Sequence, residues 1–328
     1  MNLELLELLR CPVSGQKLDH IYKENNANNQ FLISKDKKIK YEIQNNIPRF
    51  VSSFNYADNF GFQWNYYSKT QLDSYSKQPI SYDRFWKSTG WNKTDLKDKW
   101  ILDVGCGSGR FAEIALEVGA KVVAIDYSSS VDACYDNLKS YPNFYVLQAD
   151  IYSLPFCKES FDFIYSLGVL QHTPNVEKAF KSLPPLLKNK GKICVDYYWK
   201  RLRTMFHIKY LLRPITKKLN NKNLFLFLKK YTPILLKISI FLDKIPMIGI
   251  ILKRLIPVAN YKNIYSLSDN QLLEWATLDT FDMLSPEYDN PQSKKTIYKW
   301  MEIMNIDNIE ILHSTLLVAR GIKNKKDK

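Results

Sequence analysis

No stretch of eighteen consecutive apolar side chains occurs in this chain of 328 residues, so no helix long enough to cross a bilayer is expected. The amino terminus, MNLELLELLR, carries acids and lacks the basic start and cleavage site of a signal peptide, so a cytoplasmic location is the expectation. The five cysteines, at 11, 106, 134, 157 and 194, are scattered and read as buried small hydrophobes or free thiols, which excludes a disulfide framework. Histidine numbers only 4. Glycine is scarce as well, 11 in all, and three of these fall at 105, 107 and 109.

Those three glycines follow an apolar strand, Trp100-Ile-Leu-Asp-Val, that delivers Asp103 to their doorstep. Without a Cβ, Gly105, Gly107 and Gly109 can take positive φ and let the main chain pass close to a ligand. The dinucleotide pattern G-x-G-x-x-G would need glycine at 110, where Arg110 stands, so the spacing favours a nucleoside without a pyrophosphate. A tight strand-to-helix turn with no ligand is the plainer alternative for the glycines alone. Downstream, Phe111, Ile114, Ala115 and Val118 share a helical face, and Gly119 stands where a C-terminal cap belongs. A second strand over 121–126 ends in Asp126, a carboxylate able to accept two hydrogen bonds from a ribose diol. After a helix around 129–139, a third strand over 143–150 ends in Asp150. There a carboxylate can accept from an exocyclic amine while the Ile151 amide donates to a ring nitrogen. Packing alone would place apolar or small residues at these three positions.

From these residues the chain resembles the class I S-adenosylmethionine-dependent methyltransferases, between about 100 and 198 and again at the C-terminus. Ser153-Leu-Pro-Phe156, the run Ser160 to His172, Lys190 to Asp196 and 309–322 are similar to that family's later strands. The resemblance implies an α/β fold with a Rossmann-like seven-stranded sheet and S-adenosyl-L-methionine as cofactor. It implies cofactor contacts from Asp103, Gly105, Cys106, Gly107, Gly109, Asp126, Tyr127, Asp150, Ile151, Ser166 and Leu167. It also puts His172 at the methyl end as the candidate general base, packing or a hydrogen bond to its loop being the alternative, with Asp196 and Tyr197 in reserve at the acceptor side.

The regions around that core divide by composition. Residues 1–51, with Leu5 to Gly15 and Tyr41 to Phe50, resemble Trm112-like, zinc-ribbon-derived modules. Tetrahedral zinc needs four ligands, and Cys11 faces Ser14 with no second cysteine pair before 106, so this module is expected to hold no metal. Residues 52–99 are aromatic-rich; the resemblance implies helices that cover the cofactor here, docking of those helices on the sheet being the alternative role for most of the aromatics. Among them Arg84 is placed either to pair bidentately with the cofactor's methionine carboxylate or to form an ordinary salt bridge. Residues 100–199 form the core, 200–292 an insertion, 293–322 the end of the core and 323–328 a basic tail.

The charge of +14 is concentrated in the insertion. From 199 to 257 there are 14 Lys or Arg against the single acid Asp243, a balance of +13. The clusters LFLFL, PILL, ISIFL and IPMIGIIL suit short amphipathic helices: either a cap whose lysines face water, or a surface resting on anionic membrane. Farther on, the 275–292 stretch is acidic, aromatic and proline-punctuated and resembles methyltransferases of the bacterial surface-polysaccharide type. Asp279, Asp282 and Tyr288 are its substrate-site candidates, a plain structured loop being the alternative. The leading expectation is O- or N-methylation of a small molecule, a sugar or a lipid-linked glycan used in polysaccharide biosynthesis. RNA methylation and a non-catalytic cofactor-binding partner are the alternatives. The missing zinc cysteines and apolar basic segment weigh against RNA, and the intact Asp103, Asp126 and Asp150 set weighs against a non-catalytic role.

Overall fold

The computed structural model describes residues 2–23, 26–52, 55–201, 208–313 and 316–324. Its centre is a seven-stranded sheet built from β5 (Trp100–Val104), β6 (Lys121–Asp126), β7 (Phe144–Gln148), β8 (Phe161–Ser166), β9 (Leu187–Tyr197), β10 (Ile306–His313) and β11 (Leu317–Lys323). The strand order is β10-β11-β9-β8-β5-β6-β7. β5 to β9 run parallel, while β11 lies antiparallel between β9 and β10. This is the α/β, Rossmann-like seven-stranded sheet that the family resemblance implied.

Short runs of β-branched and other apolar residues, buried on both faces, make these segments strands. Leu102, Val104, Val123, Ile125, Ile164 and Val195 face one apolar layer, while Ile101, Val122, Ala124, Phe163 and Cys194 face the other. Both faces are covered, by the helix Arg110–Glu117 after β5, Ser130–Leu138 after β6, Val176–Lys181 after β8 and Lys294–Ile303 before β10. The chain winds outward through β5, β6 and β7, then returns to lay β8 on the other side of β5. The reversal opens a crevice at the carboxyl ends of β5, β6 and β8, where open α/β sheets bind ligands.

The N-terminal residues build a second sheet in the order β1-β2-β3-β4, from Leu18–Lys23, Asn26–Ser34, Lys40–Gln44 and Ile47–Pro48. This module shares the main core: Leu5, Leu9, Leu32 and Ile43 join Leu147, Phe156 and Phe161 in one cluster. Just past β4, Arg49 bridges in parallel to Gln148, and the Phe50 amide donates to the Gln148 carbonyl at 2.8 Å. The module thereby covers the open edge of β7, which would otherwise expose unpaired backbone groups. Cys11 Sγ lies 3.2 Å from the Tyr41 hydroxyl and accepts the Ser14 amide at 3.4 Å.

Within the insertion the helices are Ile208–Thr216, Asn221–Leu242, Ile248–Lys253 and Asp269–Leu284. The apolar clusters suggested short helices, yet one helix of 22 residues runs straight through Pro233. Proline costs one intrahelical hydrogen bond. Here the helix is held on both sides of it, Leu224, Phe225 and Leu228 packing with Phe281 and Leu284, and Leu236 with Leu272 and Ala276. No described helix is long and apolar enough to cross a membrane.

Candidate active site

The crevice is a cavity of about 790 Å³ with two unlike walls. One is the glycine turn. Gly105, Gly107 and Gly109 have φ of 79°, 53° and 94°, all in the left-handed region where a side chain is strained. The three glycines differ in purpose. A Cβ on Gly107 would reach within 3.1 Å of the Trp64 ring, which roofs the cavity, and one on Gly105 would strike Val169 at 2.4 Å. At Gly109 the obstacle is the Ser130–Leu138 helix, since a Cβ would meet Leu138 at 2.6 Å and Cys134 at 3.0 Å. Gly105 and Gly107 line the cavity together with Cys106, whereas Gly109 lets helix pack on turn.

Asp126 sits at the cavity beside this turn. Its Oδ2 accepts from the Gly107 amide at 3.1 Å, and its Oδ1 accepts from the Ser128 amide at 2.8 Å and hydroxyl at 2.7 Å. Each carboxylate oxygen has two lone pairs, so Oδ2 keeps one for a ribose hydroxyl. Tyr127, Ile151 and Leu167 also line the cavity. Asp150 stands outside the lining, at its rim: its Oδ1 accepts from the Tyr152 amide at 2.9 Å, and its charge is felt by Tyr56 and Tyr127, both cavity residues. Ser166 is fully buried, its hydroxyl donating to the Val104 carbonyl at 2.9 Å, so it ties β8 to β5 and does not reach the cavity.

Asp103 is paired in register with Tyr165 across β5 and β8 and is buried just beneath the turn. Burial pushes its carboxyl up to about 8; the nearby Tyr165 hydroxyl favours the charged form, and Asp126 opposes it. Neither Asp103 Oδ2 nor the Tyr165 hydroxyl closes a regular hydrogen bond. Asp103, expected among the cofactor contacts, thus lies outside the cavity lining, with one oxygen left without a partner beneath the turn.

Of the two alternatives the sequence left for Arg84, the salt bridge is present, between the half-buried guanidinium and the buried Asp196. It donates to Asp196 Oδ2 at 2.8 Å, while the Gly168 amide donates to Oδ1 at 2.5 Å. Arg84 still lines the cavity and lies 5.3 Å from the centre of the Phe111 ring. On that same ring stands Arg110, 4.5 Å from its centre, bonded to the Ser81 hydroxyl at 3.2 Å and to Gln71. Burial and the neighbouring Arg84 charge pull the Arg110 guanidinium down to about 10. Its signal in the sequence was the very residue that broke the dinucleotide pattern.

The second wall comes from the loop after β8, the end of β9 and the insertion. His172 closes the 3₁₀ turn Leu170–His172 and is buried on the cavity. Its Nδ1 lies 3.0 Å from the Tyr288 carbonyl, an acceptor only, so Nδ1 carries the proton and Nε2 the lone pair. Burial lowers the imidazole to about 4. The Tyr288 ring packs edge-on against Tyr56 at 5.4 Å, so this residue contributes its carbonyl to His172 and its ring to a neighbour. Asp279 accepts from Gln71 at 3.0 Å and from the Tyr261 hydroxyl. Asp279 and Asp282 both line the cavity, and burial raises each to about 6. Tyr197 points the other way, into the core against Trp300, because side chains alternate along β9; its neighbour Tyr198 takes the cavity side. Tyr261, Tyr265 and Trp275 complete this wall, their ring centres 5.4 to 6.0 Å apart. Nothing in the sequence singled out Tyr261 or Tyr265, since their place depends on how the 254–268 loop folds back.

Fold and site together define a Rossmann-like domain with a glycine-lined cavity at the topological switch point of its sheet. Residues 102–195 match the methyltransferase domain family. A tRNA U34 carboxymethyltransferase of Ruthia magnifica subsp. Calyptogena magnifica is 26% identical over 197 residues, covering 54% of this chain and 61% of that protein. A ubiquinone biosynthesis O-methyltransferase of Coxiella burnetii is 33% identical over 100 residues, covering 30% of this chain and 43% of that one. The chain therefore spans less than two thirds of the length of either relative. Among solved structures, the magnesium protoporphyrin IX methyltransferase of Synechocystis, with bound SAH, is 12% identical over 82% of this chain and 97% of that one, with a TM-score of 0.45.

Proposed function

We propose that this protein transfers the methyl group of S-adenosylmethionine to an oxygen or nitrogen of a polyhydroxylated or amino-sugar acceptor of the cell-envelope type. The observation that carries this reading is that one cavity is lined by two unlike sets of groups. Gly105, Gly107 and Asp126 provide backbone and carboxylate for a ribose, and Asp103 lies beneath them with an unused oxygen. The other set is Asp279, Asp282 and three aromatic rings, a surface of carboxylates and flat faces that suits a sugar better than an apolar ring system. Asp150 and the Ile151 amide would hold the base, and Arg84 the carboxylate end.

The cofactor supplies a methyl group on a sulfonium, a leaving group needing no further activation. The protein's share is alignment and removal of one proton. Holding the acceptor atom in line with the methyl group is worth many powers of ten. His172 presents Nε2 unprotonated at neutral pH and accepts the acceptor's hydrogen bond. Its low proton affinity keeps it neutral and makes it a weak final base, so Asp282 on the same wall is the second place for the proton. The N-terminal four-stranded module is read as a metal-free relative of Trm112-like domains, since the Cys11 thiol is engaged by Tyr41 and Ser14.

Calorimetry with S-adenosylmethionine, followed by transfer of labelled methyl to a panel of sugars, amino sugars and envelope glycans with unmodified tRNA alongside, tests the reading. Micromolar cofactor binding with label in a saccharide supports it. Label in tRNA alone moves the protein to the RNA class, and absence of cofactor binding removes the enzyme reading altogether.

A further inference from the structure

The insertion helices bury one apolar face and leave another in solvent. On Asn221–Leu242 the buried set is Leu224, Phe225, Leu228, Thr232, Leu236, Ser239 and Leu242. A second stripe, Phe227, Tyr231, Ile234, Ile238 and Phe241, follows alternate steps of four and three along the same helix, and every member is exposed. The next helix repeats the pattern with Ile248, Ile251 and Leu252, followed by exposed Leu255 just past its end, and Met247 at the turn before it is 79% exposed. A helix that merely caps a core turns polar residues to water on its far side. Here the far side is aliphatic and aromatic, with Lys222, Lys230, Lys237 and Lys244 exposed on the flanks.

We infer that this face docks on an anionic lipid bilayer, apolar stripes sunk into the interface and lysines among the headgroups, so that the acceptor is one carried by a membrane lipid. The second clause rests on the reading of the cavity as a methyl-transfer site. Charge decides between the occupants of such a face. A second copy of the chain would set one +13 segment against another and be repelled. RNA would satisfy the lysines but gain nothing from exposed isoleucine and leucine, which its phosphates cannot use. A membrane with anionic headgroups satisfies both. The face also connects to the site: Arg254 lines the cavity and stands between exposed Leu252 and Leu255, so the mouth of the cavity adjoins the docking surface. With no described helix able to span a bilayer, the contact is interfacial.

The test uses the full chain in sedimentation with phosphatidylcholine vesicles, with and without phosphatidylglycerol, across a salt series. Expected are binding to the anionic vesicles only, weakening as salt rises, and a loss of at least about tenfold in partitioning for the quadruple variant Lys222→Gln, Lys230→Gln, Lys237→Gln, Lys244→Gln. The triple variant Phe227→Ser, Ile234→Ser, Phe241→Ser should lose vesicle binding too. Both variants should bind S-adenosylmethionine as the wild type does, which shows that they fold. The inference is overturned if anionic vesicles are ignored at low salt, if RNA displaces them stoichiometrically, or if the triple variant's main effect is to dissolve a dimer. Should cofactor binding fail in the wild type while vesicle binding holds, the methyl-transfer reading falls and the docking surface stands.

Discussion

The two walls of the cavity are built on different principles. The cofactor wall is made by main chain: glycines at positive φ, and strand-end acids whose oxygens are already held by amides of Gly107, Ser128 and Tyr152. The acceptor wall is made by side chains from four separate stretches, His172, Tyr198, the 254–268 loop and the Asp269–Leu284 helix, and its acids are held by other side chains such as Gln71 and Tyr261. Backbone geometry tolerates little variation and is set by local residues. Side-chain constellations depend on how distant segments fold together. Rigid recognition of an invariant ligand and adjustable recognition of a particular acceptor call for these two constructions respectively.

Turnover and affinity should separate along this line, and the largest expected effect lies on the acceptor wall. His172→Ala should lower turnover by at least about 10²-fold, the lower end of what a positioned base contributes. Cofactor affinity should be unchanged, because Nδ1 is spent on Tyr288 and the ring lies on the other wall. Steady-state methyl transfer and calorimetry on the same preparation check both halves. A loss in cofactor affinity equal to the loss in turnover would merge the two walls into one.

On the cofactor wall, Asp126→Ala should weaken S-adenosylmethionine binding by about 1.5 to 3 kcal/mol, the cost of leaving polar partners without their charged acceptor. Calorimetry reads it directly. The Gly107 and Ser128 amides would also lose their partner, so a drop in affinity without loss of melting temperature is the sharper result.

Asp103 gives the wall a pH signature. Its folded carboxyl titrates near 8, well above the ordinary 3.8. The folded ligand-free protein therefore holds a proton that the unfolded chain has released, and stability should fall as pH rises from about 4 to 8, by up to ~1.4 kcal/mol per pH unit from this group. Denaturant unfolding of wild type and Asp103→Asn over that range checks it, the variant showing the flatter profile. Equal slopes would mean that the Asp103 environment is wetter than its burial suggests.

The strands and the glycine turn were legible because a short apolar run and the absence of Cβ are local properties, and spacing alone brought Gly105, Gly107 and Asp126 to the cavity, while Asp103 lies buried outside its lining. Ser166 and Gly109 lay in the same motifs and turned out to serve packing, which spacing does not distinguish from contact. At the end of β9 the reading reached Tyr197 when the cavity takes Tyr198; a slip of one residue reverses the face of a strand. Arg84 and Asp196 were each singled out, but that they hold one another is a tertiary fact, the two lying 112 residues apart. Of the aromatic wall, Trp275 opens the acidic, aromatic stretch that stood out in the sequence, whereas Tyr261 and Tyr265 had no local pattern at all.

That wall supplies the smallest expected effect and the finest test of the comparison. The Tyr261 hydroxyl donates to Asp279 and favours its charged form against the burial that raises it to about 6. Tyr261→Phe removes the donor and leaves the ring, so the Asp279 carboxyl should titrate higher still. If charged Asp279 receives the acceptor, the acidic limb of the pH profile of kcat/KM should move to higher pH by under about one unit, equivalent to less than ~1.4 kcal/mol. Cofactor affinity at pH 8 should not change, since the residue belongs to the opposite wall. A fall in kcat/KM that is the same at every pH would assign Tyr261 to stacking on the acceptor, with no part in tuning the acid.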